Sequence, residues 1–343
     1  MNLHEGFGFN FLSHLEKQAY IVVLKALSTK TDSICISKVD RSVDIMKVVQ
    51  TVLGDNPSVI YFNRTQLQIE ESALARSVIL SGVPTKTQIQ NMNSELHTEA
   101  DRIVSFVKAS KEARNDNYRL LLALYEYLQS NVKYDIVERQ ANLKGFSPNP
   151  HSHSAYGALI NGVAVCDGFS SAFSLLSQKL GFDCMLAIGY SAFDSSTTVN
   201  HAWNIIKVQG KCYHMDVTWD ARKYEEFQSL SYVYFAINDD DINVDHDWNK
   251  NTTPACSSDD FSYYKKNELF ASNEEEMNEV LRAAKNSNDV SIRIKISRNV
   301  KLGEDAGEKL AQMYVDEVAK PGIGIQICYG WNEKTRCFFA KIV

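Results

Sequence analysis

The sequence lacks any long apolar run. Its longest stretches of this kind, such as YIVVL at residues 20–24, are far shorter than the roughly 20 residues that a helix needs to span a bilayer. The N-terminus, MNLHEGFGFNFLSHLEK, has neither the basic nor the apolar segment of a signal peptide. We therefore expect a cytoplasmic protein with no membrane partner, although a secreted chain that had lost its leader, or one exported by a leaderless route, would look the same.

An excess of basic charge is also missing. The chain has 36 lysines and arginines against 42 aspartates and glutamates, a formal net charge of −6. Proteins that bind nucleic acids or anionic lipids present positive charge, because their partners carry phosphate. We expect no nucleic-acid partner, while a local basic groove stays open because net charge does not report the distribution of charge.

A disulfide framework is the third absence. The seven cysteines are odd in number and scattered over 343 residues, which indicates a reducing compartment. The apolar share of 44% and the chain length predict sizeable cores in two or three units. We predict an N-terminal extension over 1–110 that could shape a groove, block it or bind a partner, a core over 111–250, and a small α/β unit over 251–343.

Two strand-like runs flank Gln209-Gly210 in the stretch VNHAWNIIKVQGKCYHMDVTWDA. A two-residue hairpin turn there places Trp203 opposite Asp216. Side chains alternate along a strand, so His201 lies on the same face as Asp216 and diagonal to it. The carboxylate can then orient the imidazole as a general base. A register slip of one residue would separate the two side chains.

Cys166 differs from the other cysteines by its position. Cys184, Cys328 and Cys337 lie in apolar strand-like runs, where a free cysteine acts as a small hydrophobe. Cys166 instead begins a helix that we predict to run to about Leu180. Unpaired N–H groups and the positive end of the helix dipole favour a thiolate there, and the Cys166 N–H can serve as one oxyanion donor.

Three segments of the chain resemble bacterial members of the transglutaminase-like superfamily over about residues 115–240. They are SAYGALINGVAVCDGFSSAFSLLSQKLGF, NHAWNIIKVQGKCYHMDVTWD and SYVYFAIND. The resemblance implies an α+β fold with a papain-like core, in which the cysteine-bearing helix packs on an antiparallel sheet. An N-terminal α/β extension and a small C-terminal α/β unit would flank this core.

The resemblance also implies a catalytic triad. Cys166 would be the nucleophile, His201 the general base and then the general acid, and Asp216 the orienting carboxylate. Such a site performs acyl transfer on protein or peptide substrates through a cysteine thioester, as a protease, a deamidase or a transglutaminase. No cofactor is implied, and the oligomeric state is not indicated.

Two aromatic residues are candidates for contact with the substrate. Tyr156, in the loop before Cys166, is a candidate for the second oxyanion donor. Trp203, beside His201, could shield the imidazole or line the substrate groove. For both residues the alternative is an aromatic ring packed in the core.

Two other functions compete with the triad. His201, His214 and Asp216 share a face and suggest a metal site, as does HSH at His151 and His153. In the predicted register, however, His214 lies about 13 Å from the strand position paired with His201, too far for one ion. We therefore predict no metal, with the HSH loop solvated or at the groove rim. The other competitor is an inactive transglutaminase-like scaffold that binds protein or peptide partners.

Overall fold

The computed structural model describes residues 3–62, 64–72, 75–109, 115–192, 198–283, 291–319 and 325–343. No helix in these ranges is both long enough and apolar enough to cross a membrane. Buried apolar side chains in this part form one cluster in the N-terminal region, two clusters on opposite faces of a central sheet, and one in the C-terminal region.

The N-terminal region combines helices with a small antiparallel sheet. Its elements are α1 (His14–Ser28), β1 (Ser33–Cys35), α2 (Ile45–Asp55), β2 (Gln68–Glu71), β3 (Arg76–Ile79) and α3 (Lys86–Val107), with 3-10 turns at Gly8–Phe11 and Arg64–Gln66. The strand order is β1-β3-β2. Side-chain caps begin the three helices: Ser13 and Thr85 form capping boxes and Asp44 accepts two backbone N–H bonds, which satisfies first-turn donors.

One predicted N-terminal strand is wrong. The apolar run SVIYFN forms no strand over the residues described, although its last residue, Asn63, lies outside them. The run is buried as irregular chain instead, and the Tyr61 hydroxyl donates to the Leu27 carbonyl at 2.8 Å. A short apolar run predicts that a segment is buried more reliably than it predicts that the segment forms a strand.

The central region packs helices on a five-stranded antiparallel sheet. Its elements are α4 (Asn117–Asn131), β4 (Lys133–Tyr134), α5 (Ile136–Asn142), β5 (Val163–Ala164), α6 (Cys166–Lys179), β6 (Asp183–Ala192), β7 (Thr198–Val208), β8 (Lys211–Met215), α7 (Val217–Phe227), β9 (Phe235–Ile237), α8 (Asp239–Ile242) and β10 (His246–Trp248). The strand order is β10-β6-β7-β8-β9, and α6 packs against β6 and β7. The predicted α+β core, with the cysteine-bearing helix on an antiparallel sheet, is confirmed.

The β7–β8 hairpin has the predicted register. Val208 pairs with Lys211 and Asn204 with Met215, and the two turn residues have positive φ angles of 51° and 81°, as a type I′ turn requires. Strand alternation alone predicts that Trp219 and Asp220 close this strand, but the strand ends at Met215, so this prediction is wrong. They lie in α7, because Asp216 caps that helix by accepting from the Trp219 N–H at 3.1 Å.

The C-terminal region is the predicted α/β unit. Its elements are α9 (Tyr263–Lys266), β11 (Phe270–Ala271), α10 (Glu274–Ala283), β12 (Ser291–Ile296), α11 (Ala306–Val318), β13 (Ile327–Asn332) and β14 (Cys337–Ile342). The strand order is β11-β12-β14-β13. Parts of two predicted strands and one predicted helix, at 284–286, 290 and 322–324, lie outside the described residues. The domain boundaries after residues 110 and 250 stay predictions.

Candidate active site

Cys166 is the first residue of α6, as predicted. The residue before it, Val165, has extended backbone and no side chain caps the helix. The Val165 N–H donates to the Ser152 carbonyl at 3.0 Å, and this bond anchors the start of α6 to the preceding loop. The first-turn N–H groups, including that of Cys166, are therefore left for an oxygen atom bound in front of the helix.

The same loop and helix approach each other at Gly168. A Cβ atom built on this glycine would lie 2.1 Å from the Ser152 carbonyl oxygen and 3.0 Å from the Cβ of Ala164. Only glycine allows this approach of backbone to backbone, because any other residue would collide with a carbonyl that cannot move alone. The contact therefore fixes how far Cys166 projects from the loop.

We expect Gly168→Ala to displace α6 and to impair both folding and turnover. The added methyl group must push the helix away from the Ser152 backbone, which costs about 1–3 kcal/mol of unfolding free energy. Ser177→Ala is the matched control on α6, because this buried hydroxyl has no hydrogen-bond partner in the described part of the chain. Denaturant titration checks the prediction, and equal stabilities for the two variants would contradict it.

Three hydrogen bonds hold α6 against β7, the strand that carries His201. The Asn204 amide donates to the Ser170 carbonyl at 3.1 Å and to the Ser174 hydroxyl at 2.9 Å. The Ser170 hydroxyl donates to the Ala202 carbonyl at 3.1 Å. Strand alternation puts Asn204 on the face opposite His201 and predicts a structural role for it, which these bonds confirm. The helix of Cys166 thus has a fixed position relative to the strand of His201.

His201 and Asp216 are joined as the hairpin register predicts. His201 Nε2 lies 2.6 Å from Asp216 Oδ2. Burial opposes ionisation of Asp216, but the charge of His201 and the hydrogen bonds from His201 and His246 outweigh it and hold the pKa of this carboxyl well below its usual range. An ionised carboxylate at Nε2 leaves the other ring nitrogen, Nδ1, for the reacting group.

Cys166 and His201 line one cavity of about 370 Å³. In the described part of the chain no direct hydrogen bond joins the Cys166 sulfur to the imidazole. The thiol and the imidazole therefore line the same cavity but are not hydrogen-bonded to each other in this structure. In enzymes without bound substrate, catalytic hydrogen bonds are often long and tighten only when substrate binds.

The protonation state of Cys166 differs from the sequence prediction. Burial, and then the negative charge of Asp167, raise the pKa of the Cys166 thiol to about 12, while a hydrogen bond from the Ala202 backbone and the charge of Arg139 offset part of the shift. The helix start alone predicted a thiolate. Desolvation in the cavity wall outweighs that effect, so the resting group is a thiol and needs a base to release its proton.

A second histidine contacts the carboxylate of Asp216. His246 Nε2 lies 3.0 Å from Asp216 Oδ2, and its Nδ1 lies 2.6 Å from Asp245 Oδ1. The Tyr234 hydroxyl donates to the other Asp245 oxygen at 2.6 Å. Burial disfavours the charged ring, but hydrogen bonds to the two carboxylates outweigh it and raise the pKa of His246 to about 9. His246 is therefore a buried imidazolium that shares Asp216 with His201.

His246 makes folding sensitive to alkaline pH. Its folded pKa of about 9 lies above the ordinary value of 6.5 for histidine, so its stabilising contribution is complete below the unfolded pKa and is lost as the pH rises through the folded one. We expect the unfolding free energy to fall between pH 6.5 and 9. Denaturant titrations of wild type and His246→Gln check this, and an equal slope in both proteins would contradict it.

Trp203 packs against the imidazole and does not line the cavity. The side chain is fully buried, and its rings stack on His201 with centroids 5.9 Å apart and planes 20° apart. Its indole N–H donates to His214 Nδ1 at 2.9 Å. Trp203 belongs to a buried apolar cluster, as the alternative of core packing predicts. Its contact with the imidazole also fits the shielding role, whereas lining the groove does not fit.

Two triplets of side chains are close enough to hold a metal ion, with ligand atoms within 4.8 Å of one another: His201, Asp216 and His246; and His214, Asp239 and Cys256. In the first, both nitrogens of His246 face carboxylates and carry protons. In the second, His214 Nδ1 accepts from Trp203, so its Nε2 carries the proton that is donated to Asp239 at 2.8 Å. A metal-binding histidine normally donates through its other nitrogen. Both triplets fit hydrogen-bond networks better, and the absence of a metal stays a prediction.

The loop before Cys166 places its residues in two directions. The Tyr156 hydroxyl donates to Glu95 at 2.6 Å, so the structure does not bring it to Cys166 as an oxyanion donor. His153 lines the cavity, at the groove rim as predicted but buried. Its Nδ1 lies 2.9 Å from both oxygens of Asp167, and its Nε2 lies 3.1 Å from Glu138.

The N-terminal extension supplies one wall of the cavity. Its contributions come from α2 and from the segment around Arg64: Met46, Gln50, Leu53, Arg64, Thr65 and Leu67. Of the three roles left open by the sequence, shaping the groove is the one that this contact supports. Half of these six residues are apolar and half are polar or charged, so the wall offers both apolar contact and hydrogen-bonding groups.

Comparisons with known proteins agree with this fold. Residues 104–217 match the family model of the transglutaminase-like superfamily. Human kyphoscoliosis peptidase is 26% identical over 38% of this chain and 21% of its own length, so the chain corresponds to about a fifth of that relative. The protein is thus transglutaminase-like over the segment that contains Cys166 and His201.

Two solved structures overlap with part of the chain. One is a TGase, with a TM-score of 0.31, 14% identity, and coverage of 44% of this chain and 43% of that one. The other is a candidate cysteine protease from Cytophaga hutchinsonii, with a TM-score of 0.27, 13% identity, and coverage of 45% and 61%. The family assignment rests on the sequence match.

Proposed function

We propose that the protein catalyses thiol-dependent acyl transfer on protein or peptide substrates, with Cys166 as nucleophile, His201 as base and acid, and Asp216 as orienting carboxylate. The observation that carries this proposal is the shared cavity. Two groups line it: the Cys166 thiol at the uncapped start of α6, and the His201 imidazole, which a buried carboxylate contacts at Nε2. The superfamily match spans Cys166 and His201 and supports the same chemistry.

The reaction begins with the transfer of one proton. His201 Nδ1 takes the proton of the Cys166 thiol as the sulfur attacks the carbonyl carbon of an amide. The carbonyl oxygen becomes negative and accepts from the backbone N–H of Cys166. The carbon–nitrogen bond then breaks, His201 gives its proton to the departing nitrogen, and a thioester remains on Cys166. Asp216 stabilises the imidazolium while it exists.

The acceptor of the acyl group decides the product. Water attacks the thioester as His201 takes one of its protons; the carbon–sulfur bond breaks, and His201 returns the proton to the Cys166 sulfur. The result is deamidation of a glutamine or cleavage of a peptide bond. A lysine amine that attacks in the same way gives an isopeptide cross-link. The peptidase name of the human relative supports hydrolysis of peptide bonds as one of these outcomes.

Mass spectrometry of a glutamine-rich protein incubated with the enzyme, with and without an added amine, distinguishes the products. Deamidation adds about one dalton per glutamine, transfer adds the mass of the amine, and proteolysis yields fragments. Cys166→Ala is the control and should yield none of these changes. Binding of the same protein without any product, at any pH tested, would favour the inactive scaffold and overturn the proposal.

A further inference from the structure

An unpaired guanidinium lines the proposed catalytic cavity. Arg139, on α5, is part of the cavity wall, and its side chain has no hydrogen bond, ion pair or ring contact with any residue that the structure describes. The second arginine in the wall is different. Arg64 donates to the Ser171 hydroxyl at 3.0 Å and to the Val59 carbonyl at 2.6 Å. The N–H groups of Arg139 are therefore available to a ligand, and the side chain makes no hydrogen bond that stabilises the described part of the fold.

The negative charge in the cavity wall is already engaged. Among the described residues that line the cavity, Asp167 alone is acidic. Both of its oxygens lie 2.9 Å from His153 Nδ1. The charge of Arg139 thus has no partner within the wall. A partly enclosed charge without a partner is costly, and an anionic ligand that pairs with it recovers that cost.

Arg139 lies close enough to the reacting sulfur to affect it. Its charge lowers the pKa of the Cys166 thiol against the larger effect of burial. Arg139 and Cys166 also line the same cavity, so a group bound by Arg139 lies in the cavity that holds the reacting sulfur. Guanidinium groups bind carboxylates through two parallel hydrogen bonds, which fixes both the position and the orientation of the ligand.

Apolar side chains flank Arg139 on the outside of the protein. Ile136 and Leu143 lie three residues before and four residues after it, on the same helical stripe, and they are 57% and 71% exposed. Phe146 follows at 54% exposure, and Ile188 of β6 is 41% exposed and lines the cavity itself. Neighbouring exposed side chains of this size indicate a surface that another polypeptide covers.

We propose that the acyl substrate is a polypeptide segment in which an acidic side chain lies next to the reacting residue, with apolar residues beside it, and that Arg139 binds the acidic carboxylate. The proposal rests on the proposed function, because it names the substrate class of the same site. The carboxylate of the substrate pairs with Arg139, and the apolar residues of the substrate pack against Ile136, Leu143 and Phe146.

Peptide binding to the Cys166→Ala variant tests the proposal without any need for turnover. The probes are two fluorescein-labelled peptides that contain Leu-Gln-Asp-Leu or Leu-Gln-Asn-Leu, which differ by one charge at nearly equal size. We expect the aspartate peptide to bind about 10- to 100-fold more tightly, the range for hydrogen bonds to charged groups. Adding Arg139→Gln should reduce this ratio to near one, whereas adding Lys144→Gln, an equal charge change at a nearby exposed residue, should preserve it.

Several results would overturn the proposal. Equal affinities for the two peptides while Arg139 is present would do so, as would discrimination that survives Arg139→Gln, or no measurable binding of either peptide. A loss of turnover in Arg139→Gln that is equal for both peptides would also overturn it, because the guanidinium would then act on the thiolate or oxyanion. Charge discrimination that depends on Arg139 in a protein that turns over neither peptide would support the proposal and count against the proposed function.

Discussion

Cys166→Ala is expected to lower turnover of the true substrate by at least about 10⁴-fold, because removal of the nucleophile from a catalytic triad leaves only binding and oxyanion stabilisation. The fold should persist. Cys166 is partly exposed in the cavity, so loss of its sulfur is expected to change the unfolding free energy by about 1 kcal/mol or less. Steady-state kinetics and denaturant titration of the same preparation measure the two effects.

Cys328→Ala provides the matched control for that variant. Cys328 is also a free, partly exposed cysteine, but it lies on β13, in the C-terminal region. The account predicts wild-type turnover for this variant. Full activity of Cys166→Ala, or an equal loss in both variants, would show that the thiol of Cys166 is not the nucleophile.

Asp216→Ala is expected to destabilise the fold by about 3–5 kcal/mol, which is the usual cost of removing one partner of a buried ion pair. The carboxylate is 1% exposed and has three partners: His201, His246 and the N–H of Trp219. Its loss leaves the His246 imidazolium buried beside Asp245 alone. Activity should also fall, since the imidazole of His201 loses its orienting group.

The helix cap alone accounts for little of that destabilisation. Asp44→Ala is the control, because Asp44 caps α2 through two N–H groups but is exposed; its loss should cost about 1 kcal/mol. A similar cost for Asp216→Ala would contradict the buried network. Asp216→Asn provides a second readout, in which the pKa of His246, followed by NMR, should fall because one of its two carboxylates has lost its charge.

The parts of the site that the sequence predicts are those set by local geometry. The start of α6 at Cys166 follows from a glycine-containing loop that meets a helical pattern. The pairing of His201 with Asp216 follows from the even length of the turn between two strands. Both depend on residues close in sequence, whose spacing fixes their relative positions.

The parts that the sequence does not predict depend on contacts between distant elements. His246 reaches Asp216 only because β10 adds to the far edge of β6, and nothing near His246 in the sequence indicates that neighbour. Arg64 and Arg139 line the same cavity as Cys166 because the N-terminal extension and α5 both border it. The capping role of Asp216 is not predicted because the alternation of side chains that is typical of a strand continues in the sequence through Trp219.

The protonation state of the nucleophile also required the structure. From the sequence, a helix N-terminus favours a thiolate. The effect of burial and of Asp167 on the pKa of Cys166 depends on how closely the cavity walls surround the sulfur, and these walls come from the N-terminal and central regions of the chain. In the proposed mechanism, His201 therefore acts as a base during the attack and not merely as the counterion of a preformed thiolate.

The most direct measurement is identification of the acylated residue. The enzyme is mixed with a glutamine-containing peptide, quenched in acid within milliseconds to seconds, digested, and examined by mass spectrometry. The account predicts a thioester on the peptide that contains Cys166, which disappears with time and is absent in His201→Ala. Consumption of the substrate with the acyl group on another residue, or with Cys166 unmodified at every time point, would contradict it.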